Sequence, residues 1–237
     1  MQMPVLRKTF ILSILALLYA CTAASEPSGE RPPREDTNST APAEAHTILP
    51  ADLFLDACAA TGAAESDRTC RRGTKLIAQL AQRRLGLPEP PRRCPASRGV
   101  IVRTDDFRVV ALGINRPVQP GVATDDAEGL SHGRVAATRL PNGWLGFKTL
   151  WFARPRYQGP FLVRAGAVGG AGSIRFDRAL ERDMFAVRTG TANGTDGYRE
   201  VPGGTYVSRP GCYAWQVDGE QFSYQIVFRV YEARRVR

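Results

Sequence analysis

The stretch Gly204 to Ala233, GTYVSRPGCYAWQVDGEQFSYQIVFRVYEA, decides the fold. Residues 212–217 and 222–231 alternate in character with a period of two, which is typical of β-strands. Asp218-Gly219 lies between the two runs, and Asp-Gly is typical of a tight hairpin turn because it tolerates positive φ angles. The sequence therefore predicts an antiparallel hairpin at the end of the chain.

The second strand of this hairpin has one strongly apolar face. Its members alternate along the strand: Phe222, Tyr224, Ile226, Phe228 and Val230. Because a two-stranded hairpin is marginal in water, this face must pack against another sheet. Ser223 and Gln225 lie on the other face, and we expect them to meet solvent.

The region 93–237 carries further short strand signals separated by turn residues, and no βαβ alternation. They cover residues 99–102, 107–112, 134–140, 144–152, 161–165, 173–176 and 205–207. Seven or eight short strands in about 145 residues predict a mainly β domain, arranged as a β-sandwich.

Residues 48–88 are predicted to form a small αα-hairpin. Apolar residues at helical spacing mark its second helix, and Gly86 is a natural stop for that helix. A bend about Ala64 places Cys58 opposite Cys70, each six residues away. We therefore expect these two cysteines to form a disulfide.

The N-terminus has the features of a secretory signal over residues 1–20. Arg7-Lys8 precedes an eleven-residue, mostly apolar run, shorter than the about 20 residues that span a membrane. Leu18-Tyr19-Ala20-Cys21 resembles the lipobox of bacterial lipoproteins. The resemblance implies lipidation of Cys21 and, since Thr22 follows, the outer membrane in a host with two membranes. The alternative is an ordinary cleaved signal with a chance cysteine.

Residues 21–47 are predicted to be a disordered tether. The 26 residues after Cys21 contain no large apolar side chain, so they cannot bury enough surface to offset the entropy of ordering. As a flexible coil they span roughly 30 Å.

Four cysteines remain besides Cys21, an even number that suits an oxidising compartment. Four cysteines allow three pairings. The absence of Cys-x-x-Cys argues against a thioredoxin-type redox site or a zinc knuckle.

Three spaced motifs in the β region carry a family resemblance: KTLW (148–151), GPFLVRAG (159–166) and PGCYAWQVDG (210–219), with IVF following. They are similar to uncharacterised, secreted, immunoglobulin-like bacterial proteins. The resemblance implies an immunoglobulin-like sandwich and a Cys94–Cys212 disulfide, with no known activity, catalytic residue or cofactor. Pro210 replaces the tyrosine of the usual tyrosine corner.

Two sequence motifs resemble known functional motifs but lack the flanking secondary structure that those motifs require. Gly129-Leu-Ser131-His132-Gly133 fits a nucleophile elbow, which needs a strand before the serine, a helix after it and a later histidine. The only histidines of the sequence are His46 and His132, so no later histidine is present, and we expect Ser131 and His132 in an exposed loop. The glycine-rich residues 166–172 lead into a strand instead of a helix, so they predict a turn and not a phosphate site.

Loop carboxylates support an alternative function, an extracytoplasmic enzyme acting on carbohydrate. The candidates are Asp105, Asp106, Asp125, Asp126 and Glu128. Their spacing does not match a calcium loop, and neither a metal nor a cofactor is expected.

The chain carries a net charge of +9, almost entirely through arginine. A basic surface suits an envelope polyanion or a protein partner, although biased base composition also yields arginine. Aromatic residues do not interleave with the basic pairs, so a nucleic-acid partner is not expected. Trp144, Trp151 and Trp215 are predicted to be core and not a sugar-stacking surface. We therefore expect a lipid-anchored, non-catalytic binding or structural module of the bacterial cell envelope, whose ligand the sequence does not name.

Overall fold

The structure, a computed structural model, describes residues 53–55, 58, 67–89, 93–103, 108–113, 115–123, 127–176, 182–188, 194 and 197–233. The described chain is mainly β, as predicted, with helices α1 (Arg68–Ala81) and α2 (Ala127–Ser131). The strands are β1 (Gly99–Arg103), β2 (Arg108–Leu112), β3 (Val118–Ala123), β4 (Arg134–Arg139), β5 (Leu145–Ala153), β6 (Phe161–Ala167), β7 (Ile174–Phe176), β8 (Met184–Val187), β9 (Arg199–Val207), β10 (Gly211–Gly219) and β11 (Phe222–Glu232). No helix within these residues is long and apolar enough to cross a membrane.

The eleven strands form one mixed sheet whose two parts meet at β4. Residues 134–137 of β4 pair in parallel with β11, whereas residues 138–139 pair antiparallel with β5. We call β4, β11, β10, β6 and β8 the helix layer, and β1, β2, β3, β5, β9 and β7 the opposite layer. β4 therefore forms strand pairs with both layers.

Aromatic side chains hold the two layers face to face. Trp215 and Phe228 of the helix layer stack with ring centroids 3.8 Å apart. Trp151 of the opposite layer meets Trp215 edge-on at 5.4 Å, and Phe147 lies 6.0 Å from Phe228. All four rings are buried. The predicted packing of the terminal hairpin against another sheet is thus present, while the immunoglobulin-like arrangement stays a prediction.

Tyr224 adds a polar connection between the layers. Its ring lies on β11, and its hydroxyl donates to the carbonyl of Val118 on β3 and accepts from the amide of Val118. Burial raises the pKa of the Tyr224 phenol above its ordinary value. The hydroxyl thereby satisfies both backbone groups of the first residue of β3.

The hairpin turn differs from the prediction. Asp218 pairs with Ser223 and Gly219 with Phe222, so the turn consists of Glu220 and Gln221. The Asp218-Gly219 prediction was wrong because Asp218 is a buried strand residue, bonded to Arg164 across the sheet.

Helix α1 covers part of the outer face of the helix layer. Ile77 and Leu80 pack against Leu162 and Ala186 in a small apolar cluster. The periodicity predicted this helix correctly, with its end a few residues too late.

The chain that follows α1 continues along the same outer face. The amide of Gly86 donates to the side chain of Gln216, and Ser97 exchanges hydrogen bonds with the backbone of Val227. Both faces of β10 are therefore buried. Ser223 and Gln225 are exposed, as predicted.

The first helix of the predicted αα-hairpin lies mostly outside the described residues. Within them, Phe54 forms a parallel bridge with Ala186, and the amide of Leu55 donates to the carbonyl of Ala186 at 3.0 Å. The helical prediction is wrong at Phe54 because β8 offers its backbone an edge to pair with.

Both predicted disulfides are present. Cys58 bonds to Cys70 with Cα atoms 5.9 Å apart, and Cys94 to Cys212 at 5.6 Å. The second joins the segment that covers the helix layer to β10.

Three elements were not predicted: α2, β3 and β8. In β3, Pro120 and Gly121 resemble a break, yet the strand is buried along most of its length and pairs on both sides. A strand buried on both faces shows no alternation, so periodicity misses it.

We predict that Phe228→Ala lowers the free energy of unfolding by about 3 to 5 kcal/mol, since the ring is fully buried between the layers. Ser223→Ala and Gln225→Ala, on the exposed face of the same strand, should each change it by less than about 0.5 kcal/mol. Urea melts of the three variants provide the measurement. Similar losses in all three would contradict this assignment of faces.

Candidate functional site

The structure places the serine of the elbow pattern in a setting unsuited to catalysis. Ser131 is the last residue of α2, so the prediction of a loop is wrong at this residue. His132 is exposed, and Gly133 takes a positive φ of 68° before β4 begins. The order is thus helix then strand, the reverse of a nucleophile elbow.

The loop carboxylates gain no support as a site. Asp105, Asp106, Asp125 and Asp126 lie outside the described residues, as does the side chain of Glu128. In the described ranges, no group of three His, Cys, Asp or Glu side chains is arranged to hold a metal ion.

The remaining sequence candidates have structural roles. Gly169 and Gly170 take φ angles of 92° and 83° in a turn from β6 to β7, as predicted. Trp151 and Trp215 lie in the core, as predicted, while Trp144 is half-buried after the turn that follows β4.

Helix α1 presents a row of cations to solvent. The N-cap of the helix, Asp67, accepts a hydrogen bond from the backbone amide of Thr69 at 2.6 Å. The apolar side of the helix faces the sheet. The opposite side carries four exposed basic residues at positions i, i+3, i+4 and i+7, which share one helix face. We call Arg68, Arg71, Arg72 and Lys75 the basic face.

This concentration of charge does not help the helix to form. Across the described part of the chain, Arg68, Arg72 and Lys75 make no ion pair with a carboxylate. Like charges at i+3 and i+4 destabilise a helix by a few tenths of a kcal/mol per pair. The basic face therefore needs a reason other than the stability of α1.

A buried polar network fixes the end of α1 on the sheet. Arg164 donates to the Asp218 carboxylate at 2.7 Å, and both side chains are buried. The side-chain amide of Gln216 donates to both oxygens of the same carboxylate at 3.1 Å. We call Arg83, Arg164, Gln216 and Asp218 the Asp218 network.

The network binds the backbone just past the helix. Arg164 donates to the carbonyl of Arg83, and Gln216 donates to that of Arg84. The guanidinium of Arg83 in turn donates to the carbonyls of Gly219 and Phe222, on either side of the hairpin turn. At the other end of α1, the Cys58–Cys70 disulfide ties the helix to the preceding segment. The basic face is therefore held in a defined orientation.

Part of the basic face was recognisable in the sequence. Arg71-Arg72 and Arg83-Arg84 are two of the basic pairs of the sequence, and the structure gives them separate roles. The first pair lies on the basic face, whereas Arg83 belongs to the Asp218 network. The helical spacing of Arg68 and Lys75 around Arg71-Arg72 was visible in the sequence and was missed.

Comparison with known proteins adds little. No protein-family model and no curated protein matches the chain. A solved family 123 glycoside hydrolase from Clostridium perfringens is similar at 8% identity, over 49% of this chain and 27% of that chain, with a TM-score of 0.23. A similarity this low supports neither a shared fold nor a shared activity.

We predict that Asp218→Ala lowers the free energy of unfolding by about 3 to 5 kcal/mol, because it leaves the buried Arg164 without its counter-charge. Glu232→Ala is the control, since it breaks the exposed Arg139–Glu232 pair and should cost less than about 1 kcal/mol. Thermal or urea melts compare the two. Equal losses would show that the Asp218 network does not hold the fold.

Proposed function

We propose that this chain is a lipid-anchored, non-catalytic binding module of the bacterial cell envelope, and that the basic face of α1 docks on an envelope polyanion. The observation that carries the proposal is the row of exposed cations on a helix whose position is fixed. Such a row loses little conformational freedom of the backbone when it meets a charged surface.

The proposed location is supported by the cysteines and by the N-terminus. Two disulfides are typical of proteins outside the cytoplasm. The lipobox-like residues 18–21 would add an acyl anchor at Cys21, in the outer membrane where the host has two. The anchor and the tether lie outside the described residues.

The proposed anchor also limits which polyanion the basic face can reach. The predicted tether, as a flexible coil of roughly 30 Å, would keep the domain within reach of the membrane that holds Cys21. The phosphate groups of anionic lipid headgroups are the nearest dense negative charge, and each basic residue near such a surface contributes about 1 kcal/mol. We therefore propose the anionic membrane surface as the partner of the basic face.

The anchor has its own test. Cys21→Ala should release the protein from membranes, since stable attachment relies on the acyl chains. Fractionation followed by a high-salt wash shows whether the variant leaves the membrane. If it stays bound after the wash, the lipoprotein proposal is wrong.

The basic face is tested by reversing its charge in the Cys21→Ala background. The triple variant Arg68→Glu, Arg72→Glu, Lys75→Glu should bind vesicles of phosphatidylglycerol at least about 100-fold more weakly, since three favourable charges are removed. Vesicle sedimentation at low salt provides the measurement, with phosphatidylcholine vesicles as the uncharged surface.

The matched control reverses three exposed arginines elsewhere, Arg93, Arg98 and Arg229. The control variant has the same net charge and should lose much less binding. An equal loss in both would mean that overall charge, and not the basic face, drives attraction to the membrane. Binding to the vesicles that survives both reversals would mean that another surface of the chain contacts the lipid, and it would overturn the assignment to the basic face.

A further inference from the structure

A tyrosine lies flat on the outer face of the opposite layer. Tyr206 of β9 pairs with Gly146 of β5 on one side and with Arg175 of β7 on the other. A Cβ atom built on Gly146 would lie 3.0 Å from two ring carbons, and one on Gly204 would lie 2.6 Å from the hydroxyl oxygen. The two glycines therefore leave the space that lets the ring rest against the sheet.

The Tyr206 side chain is only partly covered. Tyr206 is half-buried, and its hydroxyl has no hydrogen-bond partner in the part of the chain that the structure describes. Along β9, the next residue on this face is Gly204, which has no side chain, and then Pro202, which is exposed. β9 therefore places little side-chain bulk next to the ring on this face.

Two basic residues lie on the strands beside Tyr206. Arg175 lies directly across from Tyr206, and its guanidinium donates to the carbonyl of Ile174 at 3.3 Å and lies 4.0 Å from the Asp183 carboxylate. Lys148 lies across from Gly204, one diagonal position from the ring, and is exposed. Diagonal neighbours on a sheet are about 7 to 8 Å apart, within reach of these long side chains. We call Tyr206, Gly146, Gly204, Lys148 and Arg175 the Tyr206 platform.

Shielding of glycine by an aromatic ring explains part of this arrangement. An aromatic side chain over a strand glycine covers the exposed backbone. That role accounts for the position of the ring, and it is served equally by phenylalanine. It does not account for the basic residues at the register positions next to the ring, Arg175 and Lys148.

We propose that the Tyr206 platform binds an acidic oligosaccharide. The apolar C–H face of a sugar ring stacks on Tyr206, and the carboxylate of the sugar pairs with Lys148 and Arg175. A flat, shallow surface suits a sugar chain that lies along it. The platform is on the outer face of the layer opposite to α1, so this site is separate from the basic face.

The experiment is a calorimetric titration of the full chain with a hexamer of galacturonic acid and with the neutral hexamer cellohexaose. The wild type should bind the acidic hexamer and bind the neutral one at least about 10-fold more weakly. Tyr206→Ala should weaken binding of the acidic hexamer at least about 10-fold, and Tyr206→Phe by less than about threefold, because phenylalanine keeps the stacking face. Lys148→Ala should reduce the preference for the acidic hexamer.

Two control variants separate this site from other surfaces. Tyr231 of β11 also has an arginine over its ring, Arg134 at 5.2 Å, but it lies in the helix layer, so Tyr231→Ala should leave binding unchanged. The triple reversal of Arg68, Arg72 and Lys75 should also leave it unchanged, whatever that variant does to vesicle binding.

Several results would overturn the proposal. One is no binding of the acidic hexamer, and another is a loss of its binding in the triple reversal, which would assign it to α1. Equal losses of affinity for the acidic hexamer in Tyr206→Phe and Tyr206→Ala would show that stacking on the ring does not drive the binding. Tighter binding of a six-nucleotide single-stranded DNA than of the acidic hexamer would make the platform a base-stacking surface. If Tyr206→Ala does not fold, Tyr206→Phe and Lys148→Ala still decide.

Discussion

The ion pair between Arg164 and Asp218 is the contact on which the arrangement of the helix layer depends. A buried charge pair is costly to desolvate, and it is retained where it selects one arrangement over others. Here the two residues lie on neighbouring strands, β6 and β10, and the same groups reach the backbone after α1. A one-residue slip of β10 would turn Asp218 toward the apolar core, so the pair opposes any other register.

The periodic pattern of the sequence was sufficient for the fold class, β11 and α1, because β11 along its first half and α1 along its length have one buried and one exposed face. It was insufficient where burial is two-sided. Asp218 looked like a turn residue because a sequence pattern does not distinguish an aspartate that bends the chain from one that meets a buried arginine. Phe54 looked helical because its local neighbours are helix formers, whereas its partner is the edge of β8.

The two proposed surfaces differed in how far the sequence revealed them. The basic face is local, so its helical spacing was present in the sequence although the scattered arginine pairs hid it. The Tyr206 platform joins residues from three strands that are far apart in sequence. Its glycines acquire a meaning only when the register places Gly146 beside Tyr206. The tryptophans were no guide to such a surface, since Trp151 and Trp215 lie in the core.

The disulfides have a consequence for biosynthesis. Taken in chain order after Cys21, the first cysteine pairs with the second and the third with the fourth. A chain that emerges from a translocation channel N-terminus first exposes its thiols in that same order. An oxidant that joins each new thiol to the one still unpaired thus makes the native bonds directly, and maturation by this route requires no disulfide isomerase. In a chain exported in this way, the 118-residue separation of the second pair would keep Cys94 a thiol until the nine described strands before Cys212 had emerged.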